Sequence, residues 1–341
     1  MTKQYNFSAS TVTCLFNVSL AELLAESQNE HSILITDEHV LNAHKELFEG
    51  RQCITVPAGE CSKSQQQVDE IILELLQSGT GKDAKIIGIG GGVVTDIAGY
   101  TASIFKRGIA LSLAPSSILA MTDAAVGGKN GVNAGNFKNM VGTIFQPQEI
   151  IYDLSLLKTL PANEWSSGFA EIIKHACIRD VEMFEELEKN NLQFYRNDIH
   201  ALNNLIQRNV QIKMEIVTND EREDGNRRLL NFGHTIGHAI EQVHGIAHGE
   251  AVSLGMMYAA RISEEMNNFY SEDVHRLKNL LQQYNLPVEM KTDRDAVWNK
   301  LLADKKRKGD DMQFVLLNKI GNGVVNNISL TQLKDIYYSF G

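Results

Sequence analysis

Short apolar runs of strand length alternate with helix-period stretches through the first half of this chain, and that alternation narrows its possible folds most. Residues 32–36, 53–56, 85–89, 111–114 and 150–152 are the apolar runs. Between them lie stretches such as 62–78, where Val68, Ile71, Ile72 and Leu75 recur at helical spacing. Strands and helices alternating in this way build a mostly parallel sheet covered by helices, an α/β fold. Beyond Pro161 the pattern changes to long helical periods, 199–217 and 251–266, with little strand signal before 314–317. The predicted organisation is a Rossmann-like parallel-sheet domain over 1–160 and a mainly helical domain over 161–341, divided at LKTLP (157–161). A chain of 341 residues is long enough for both.

Composition removes several classes of function. Hydrophobic content of 43% and charged content of 22% are globular values and exclude disorder. A formal net charge of −10 argues against nucleic-acid and anionic-membrane partners. No apolar run approaches membrane-spanning length, and the opening MTKQYNFSAS lacks the apolar core of a signal peptide. The four cysteines, Cys14, Cys53, Cys61 and Cys177, are scattered with no CxxC pair. Neither a disulfide framework nor a cysteine metal site is indicated, and a cytoplasmic protein is expected.

Chemistry concentrates in the second half. NFGHTIGHAIE (231–241) and HGEAVSLGM (248–256) place His234, His238 and His248 within fifteen residues, interspersed with small residues. A lone histidine beside apolar residues is ordinary; three this close, on helix-forming sequence, suggest a metal site with open positions. His234 and His238 are four apart and share a helix face. Thr235 stands where a zincin would carry its glutamate, so a peptidase is not expected.

The first half carries a nucleotide signal. KIIGIGGGVVTD (85–96) reads as strand, glycine run and helix, which lets backbone N–H groups approach a pyrophosphate. It departs from the Rossmann fingerprint, because the third glycine position falls on Val93. Asp37, after the strand SILIT, suits a ribose hydroxyl, and PAGECSK adds Glu60 and Lys63. Residues 120–142 hold Asp123, Lys129, Lys138 and Asn139 among five glycines, and are expected to form a polar binding loop. GFAEIIKHA sets Glu171 and Lys174 in an apolar stretch, which implies a buried charged pair; Lys213, Arg227 and Asn231 follow. An acidic chain with cations gathered in glycine-rich motifs is suited to a small, multiply charged anion.

In order, PAGE with Lys63, GGGVVTDIAGY, KRG, MTDAAVGGK, FKNMVG, LKTLP, GFAEIIKHA, NDEREDGNRRLLNFGHTIGHAIE, HGEAVSLGM, DKK and FVLLNKIG resemble the 3-dehydroquinate synthase family. The resemblance implies an N-terminal NAD-binding domain, a helical metal domain and an active site in the cleft between them. It implies a divalent metal, zinc or cobalt, on Glu171, His234 and His248, with His238 on the substrate side. Asp123, Lys129, Asn139, Lys174, Lys213, Arg227 and Asn231 match positions that hold the substrate's hydroxyls, carboxylate and phosphate, and Lys138 lies in the same loop. Arg107 matches an arginine that reaches the neighbouring subunit's site in a homodimer. A lysine of the DKK run, Lys305 or Lys306, is implied to touch substrate. NAD would contact Asp37, Glu60, Lys63, Gly91, Gly92, Asp96, Ser116, Ser117 and Thr159, with Lys129 and Lys138 beside it.

The implied reaction converts 3-deoxy-D-arabino-heptulosonate 7-phosphate to 3-dehydroquinate and phosphate, a step of the shikimate pathway to aromatic amino acids. It runs by hydroxyl oxidation on NAD, phosphate elimination, re-reduction, ring opening and aldol closure. The alternatives are another sugar-phosphate cyclase on the same scaffold or a metal-dependent polyol dehydrogenase. Four departures from the family stand out: Thr95-Asp96 for Gly-Asp, Ser116-Ser117-Ile118 for Thr-Thr-Leu, Asn130 for threonine after GGK, and a short spacer between His238 and His248. His244 lies in that spacer, but His248 alone carries the following GEAV.

Overall fold

The computed structural model describes residues 1–26, 31–135, 137–302, 307–308 and 310–339. Lys305 and Lys306 lie outside the described residues. The chain divides into two compact units, Met1–Glu164 with Ile206–Glu221 and Trp165–Leu205 with Arg222–Gly341.

In the first unit the strands are β1 (Thr2–Asn6), β2 (Thr11–Phe16), β3 (Ser32–Asp37), β4 (Cys53–Val56), β5 (Lys85–Gly90), β6 (Ala110–Pro115), β7 (Lys129–Ala134), β8 (Phe137–Ile144) and β9 (Glu149–Tyr152). Its helices are α1 (Leu20–Glu26), α2 (Glu38–Ala43), α3 (Gln65–Gln77) and α4 (Gly92–Ile104). All five apolar runs read from the sequence lie within strands. Seven strands form one sheet in the order β1-β2-β9-β6-β5-β3-β4, parallel except for β1. From β3 the chain steps outward to β4, then returns to β5 and moves the other way through β6 to β9. The carboxyl ends of β3 and β5 therefore flank the point where the winding reverses, the place where parallel sheets bind ligands. Leu34, Ile87, Ile89, Ala114 and Ile151 of the sheet pack with Leu20, Leu24, Leu47 and Phe48 in one buried cluster.

Two hairpins escape the sequence pattern. β1 and β2 pair antiparallel at the sheet edge, where polar residues hide the period. β7 and β8 form a separate antiparallel ribbon across most of the segment expected to be a loop. Glycine masks these strands. Gly131 and Gly142 face each other so closely that a Cβ on Gly142 would meet the Asn130 carbonyl oxygen at 2.2 Å.

The second unit contains α5 (Ala162–Arg179) from Trp165 on, α6 (Val181–Lys189) and α7 (Leu192–Asn197), followed by α8 (Ile199–Asn219), whose later turns belong to the first unit. Next come α9 (His234–His244), α10 (His248–Asn267), α11 (Ser271–Gln283), α12 (Arg294–Leu302) and, after three strands, α13 (Leu330–Ser339). Those strands, β10 (Arg307–Lys308), β11 (Asp311–Lys319) and β12 (Asn322–Ser329), make a small antiparallel sheet. Ile236, Ile240, Leu254, Ile262, Trp298, Phe314 and Tyr337 share one buried cluster of this unit. Among the described residues, no helix is long and apolar enough to cross a membrane.

Candidate active site

Three helices of the second unit supply one cluster of donors. Glu171 lies mid-α5 and is fully buried, while His234 and His248 are the first residues of α9 and α10. Glycine makes the approach possible. A Cβ on Gly255 of α10 would stand 1.8 Å from the Gly233 carbonyl oxygen at the start of α9. One on Gly249 would meet the Ser167 backbone of α5 at 2.4 Å. Side chains larger than hydrogen at either point would separate helices that carry the donors.

Glu171 Oε1 is 3.5 Å from His234 Nε2 and 3.3 Å from His248 Nε2. Bonds of about 2.0–2.1 Å to a tetrahedral ion put its ligand atoms about 3.3–3.4 Å apart. The donor set therefore fits a divalent ion with room for further ligands. The ring nitrogens are sorted accordingly. His234 Nδ1 lies 3.1 Å from the Phe232 carbonyl oxygen and His248 Nδ1 3.4 Å from Glu241 Oε2, so each Nδ1–H donates and Nε2 is the nitrogen turned to the donor cluster. His238 joins the group, its ring centroid 5.0 Å from that of His234 and 6.0 Å from that of His248.

Electrostatics favour deprotonated donors on two of the three. Burial alone would raise the Glu171 carboxyl, but the Lys174 ammonium and the two imidazoles hold it well below the usual carboxylate range. Burial, and then Lys174, push His234 down, which keeps it neutral. Burial would lower His248 too, yet its hydrogen bonds to Glu171 and Glu241 prevail and raise it to about 10. His248 thus lies between the two carboxylates, one at each ring nitrogen. Lys174 and Glu171 form the expected buried ion pair.

Arg227 and Asn231 sit on the tight turn Asn226–Asn231 that leads into α9, and Arg227 is buried. Asn231 Nδ2 donates to Glu223 Oε1 at 2.6 Å. Glu223 adopts φ 63, a left-handed backbone that side chains other than glycine rarely take, and no motif reading identified it.

In the first unit, the nucleotide candidates gather at strand carboxyl ends. Asp37 ends β3 and caps α2, its Oδ1 accepting from the backbone N–H groups of His39 and Val40 at 2.9 and 3.0 Å. Gly91 and Gly92 open α4 after β5. Ser116 and Ser117 follow β6, and the Ser117 hydroxyl lies 3.7 Å from where a Gly91 Cβ would stand. The Thr159 hydroxyl contacts His44 Nε2 at 3.0 Å.

Around them runs a polar chain. Lys63 pairs with Asp96 and donates to Asn139 Oδ1. Burial pushes the Asp96 carboxyl up to about 6 against the pull of Lys63. Asn139 has φ 54, and its backbone N–H donates to Asn133 Oδ1 at 2.9 Å, while Asn133 Nδ2 donates to Glu60 Oε1 at 2.8 Å. Asn133 was absent from the sequence candidates; it lies within GVNAG, whose only overt signal was its glycines. Lys213 donates to the carbonyl and carboxylate oxygens of Asp123 at 2.6 and 2.7 Å, holding the wide turn Ala120–Ala124. Lys129, Lys138 and Arg107 are exposed on this unit, Arg107 at φ 63. Asn130, the departure after GGK, is structural: its amide donates to the carbonyls of Gly128 and Phe145, both at 2.9 Å, beneath Gly99.

Residues 53–167 match the profile of the 3-dehydroquinate synthase N-terminal domain, and residues 168–307 match that of the C-terminal domain. The chain belongs to the 3-dehydroquinate synthase family. Members of that family from Dichelobacter nodosus and Methylacidiphilum infernorum are 37% and 42% identical to it. Those alignments cover 93% and 79% of this chain and 89% and 75% of theirs. A crystal structure of 2-deoxy-scyllo-inosose synthase, complexed with carbaglucose-6-phosphate, NAD+ and Co2+, superposes with a TM-score of 0.86 at 26% identity. It covers 99% of this chain and 100% of that one. The fold is thus shared with 2-deoxy-scyllo-inosose synthase, while the sequence sides with the 3-dehydroquinate synthases.

Proposed function

We propose that this protein is a 3-dehydroquinate synthase, a carbon–oxygen lyase that converts 3-deoxy-D-arabino-heptulosonate 7-phosphate to 3-dehydroquinate and phosphate with NAD and a divalent ion. The observation that carries the reading is the Glu171, His234 and His248 donor set within a family-matched chain. When bound, NAD takes up and returns a hydride, and the divalent ion polarises the substrate's hydroxyl and carbonyl oxygens.

The protein's own groups bind and orient. Lys129, Lys138, Lys174, Lys213 and Arg227 are read as the cations for a substrate that is anionic at both ends. Asn139 and Asn231 offer amides to hydroxyls, and each is steadied by a neighbour, Asn133 and Glu223 respectively. His238 stands beside the donor set as a substrate-side group, and Asp123 is oriented by Lys213. Asp37, Glu60, Lys63, Gly91, Gly92, Asp96, Ser116, Ser117 and Thr159 are read as NAD contacts, on the side of the sheet where its winding reverses.

The reading extends to a cytoplasmic homodimer. Free thiols at Cys14, Cys53, Cys61 and Cys177 suit a reducing compartment. Arg107 stands in an exposed turn, and β8 exposes Phe137, Met140, Val141 and Ile144, apolar area of the kind two copies would cover. Phosphate release from the heptulosonate phosphate, compared with release or turnover of glucose 6-phosphate under the same conditions, tests the substrate. Turnover confined to the heptulosonate phosphate supports the proposal; turnover confined to the hexose phosphate would replace it with a sister cyclase.

A further inference from the structure

Glu241 has no role in the reading above, yet it is almost fully buried at 8% exposure and points at a metal donor. A carboxylate so far removed from water is costly unless charge or hydrogen bonds meet it. It sits seven residues after His234 and three after His238, so the three share one stripe of α9. Its Oε2 lies 3.4 Å from Nδ1 of His248, while Nε2 of that ring faces Glu171 Oε1 at 3.3 Å.

The two imidazoles of the donor set are therefore held differently. His234 gives its Nδ1–H to a neutral backbone carbonyl, that of Phe232. His248 gives its own to a carboxylate. A histidine that ligates through one nitrogen must carry its proton on the other, and the acceptor there fixes tautomer, ring plane and donor strength. An anionic acceptor strengthens the donor more than a neutral one. His248 is also the more exposed of the two rings, 30% against 10%, and so has less packing to hold its plane.

We propose that Glu241 is a positioning residue of the metal centre, orienting the His248 ring with Nε2 toward the ion and raising its strength as a ligand. This rests on the assignment of Glu171, His234 and His248 as ligands. A competing use of the same atoms exists, because His238, Glu241 and His248 also place one donor each within 4.8 Å of one another and could hold an ion themselves.

The test uses full-length protein, stripped of metal and titrated with Zn2+ against a chromophoric chelator, together with the visible spectrum of the Co2+-loaded form. Glu241→Gln keeps an acceptor but removes the charge; Glu241→Ala removes both. The expected losses of Zn2+ affinity are about 10-fold for Glu241→Gln and up to about 100-fold for Glu241→Ala, with one ion still bound and an altered Co2+ spectrum. Affinities within about 2-fold of the parent with superimposable spectra overturn the proposal, whatever the melting temperatures. Should Glu241→Ala fail to fold, Glu241→Gln carries the test alone. Two ions bound by the parent and one by Glu241→Gln would make Glu241 a ligand and also overturn it. Full metal occupancy in His234→Ala would instead remove the ligand assignment beneath it.

Discussion

At the scale of single residues, the buried charges make the sharpest predictions. Lys174 and Glu171 are 1% and 0% exposed and face each other one helical turn apart. Removing one partner strands the other, which typically costs about 3–5 kcal/mol. Lys174→Met should therefore lower the unfolding free energy of the metal-free protein by that amount in urea, and a loss below about 1 kcal/mol would contradict the burial argument. Asp96 predicts a pH dependence. Burial, opposed by Lys63, raises its carboxyl from 3.8 to about 6, so the folded state keeps a proton that the unfolded chain releases. Its contribution is fully present below about pH 4 and is lost as pH rises through about 6, roughly 3 kcal/mol in all. Asp96→Asn should remove that decline from the stability profile of NAD-free protein, and parallel profiles for the two proteins would contradict it. The cluster of Glu171, His234 and His248 was within reach of the sequence, the histidines through their spacing and Glu171 through the family resemblance of GFAEIIKHA. Asn133, Glu223 and Glu241 were not, because each acts through a neighbour and only coordinates reveal a neighbour.

Among the elements, close packing and hydrogen-bonded turns take over. α9 and α10 touch at Gly233 and Gly255, where a methyl group would lie 1.8 Å from a carbonyl oxygen. Gly255→Ala must push the helices apart, at an expected cost of about 1–3 kcal/mol or more, and must move His234 relative to His248. Calorimetry and metal titration should show a lower melting temperature and weaker metal binding together; unchanged values for both would mean the helices do not approach as described. In the first unit, Asn133 ties β7 to the left-handed Asn139 and to Glu60 through two hydrogen bonds. Asn133→Ala should lower kcat/KM by about 5–30-fold, the effect of roughly 1–2 kcal/mol, with little change in melting temperature. A normal kcat/KM would show that this chain of contacts does not order the site. Apolar runs announced β3, β4, β5, β6 and β9, and helical periods announced α3, α8 and α10. The β7–β8 ribbon stayed hidden because Gly131 and Gly142 serve close strand contact rather than strand propensity.

For the whole molecule, periodicity revealed a sheet unit followed by a helical one, but not that residues 206–221 would join the first. That grouping rests on long-range contacts such as Lys213 with Asp123, which no local pattern encodes. The winding order of the sheet was likewise invisible in sequence, although the glycines and Asp37 that its reversal brings together were not. Proteins that combine a dinucleotide-type sheet with a metal-ready donor set could be either cyclases or dehydrogenases, and redox balance separates them. The direct measurement is phosphate released from the heptulosonate phosphate by the metal-loaded protein carrying one NAD per chain, with NADH absorbance followed in the same cuvette. The expected result is many phosphates per NAD and no steady accumulation of NADH, because the hydride is returned in each turnover. NADH rising in step with substrate consumed would contradict it.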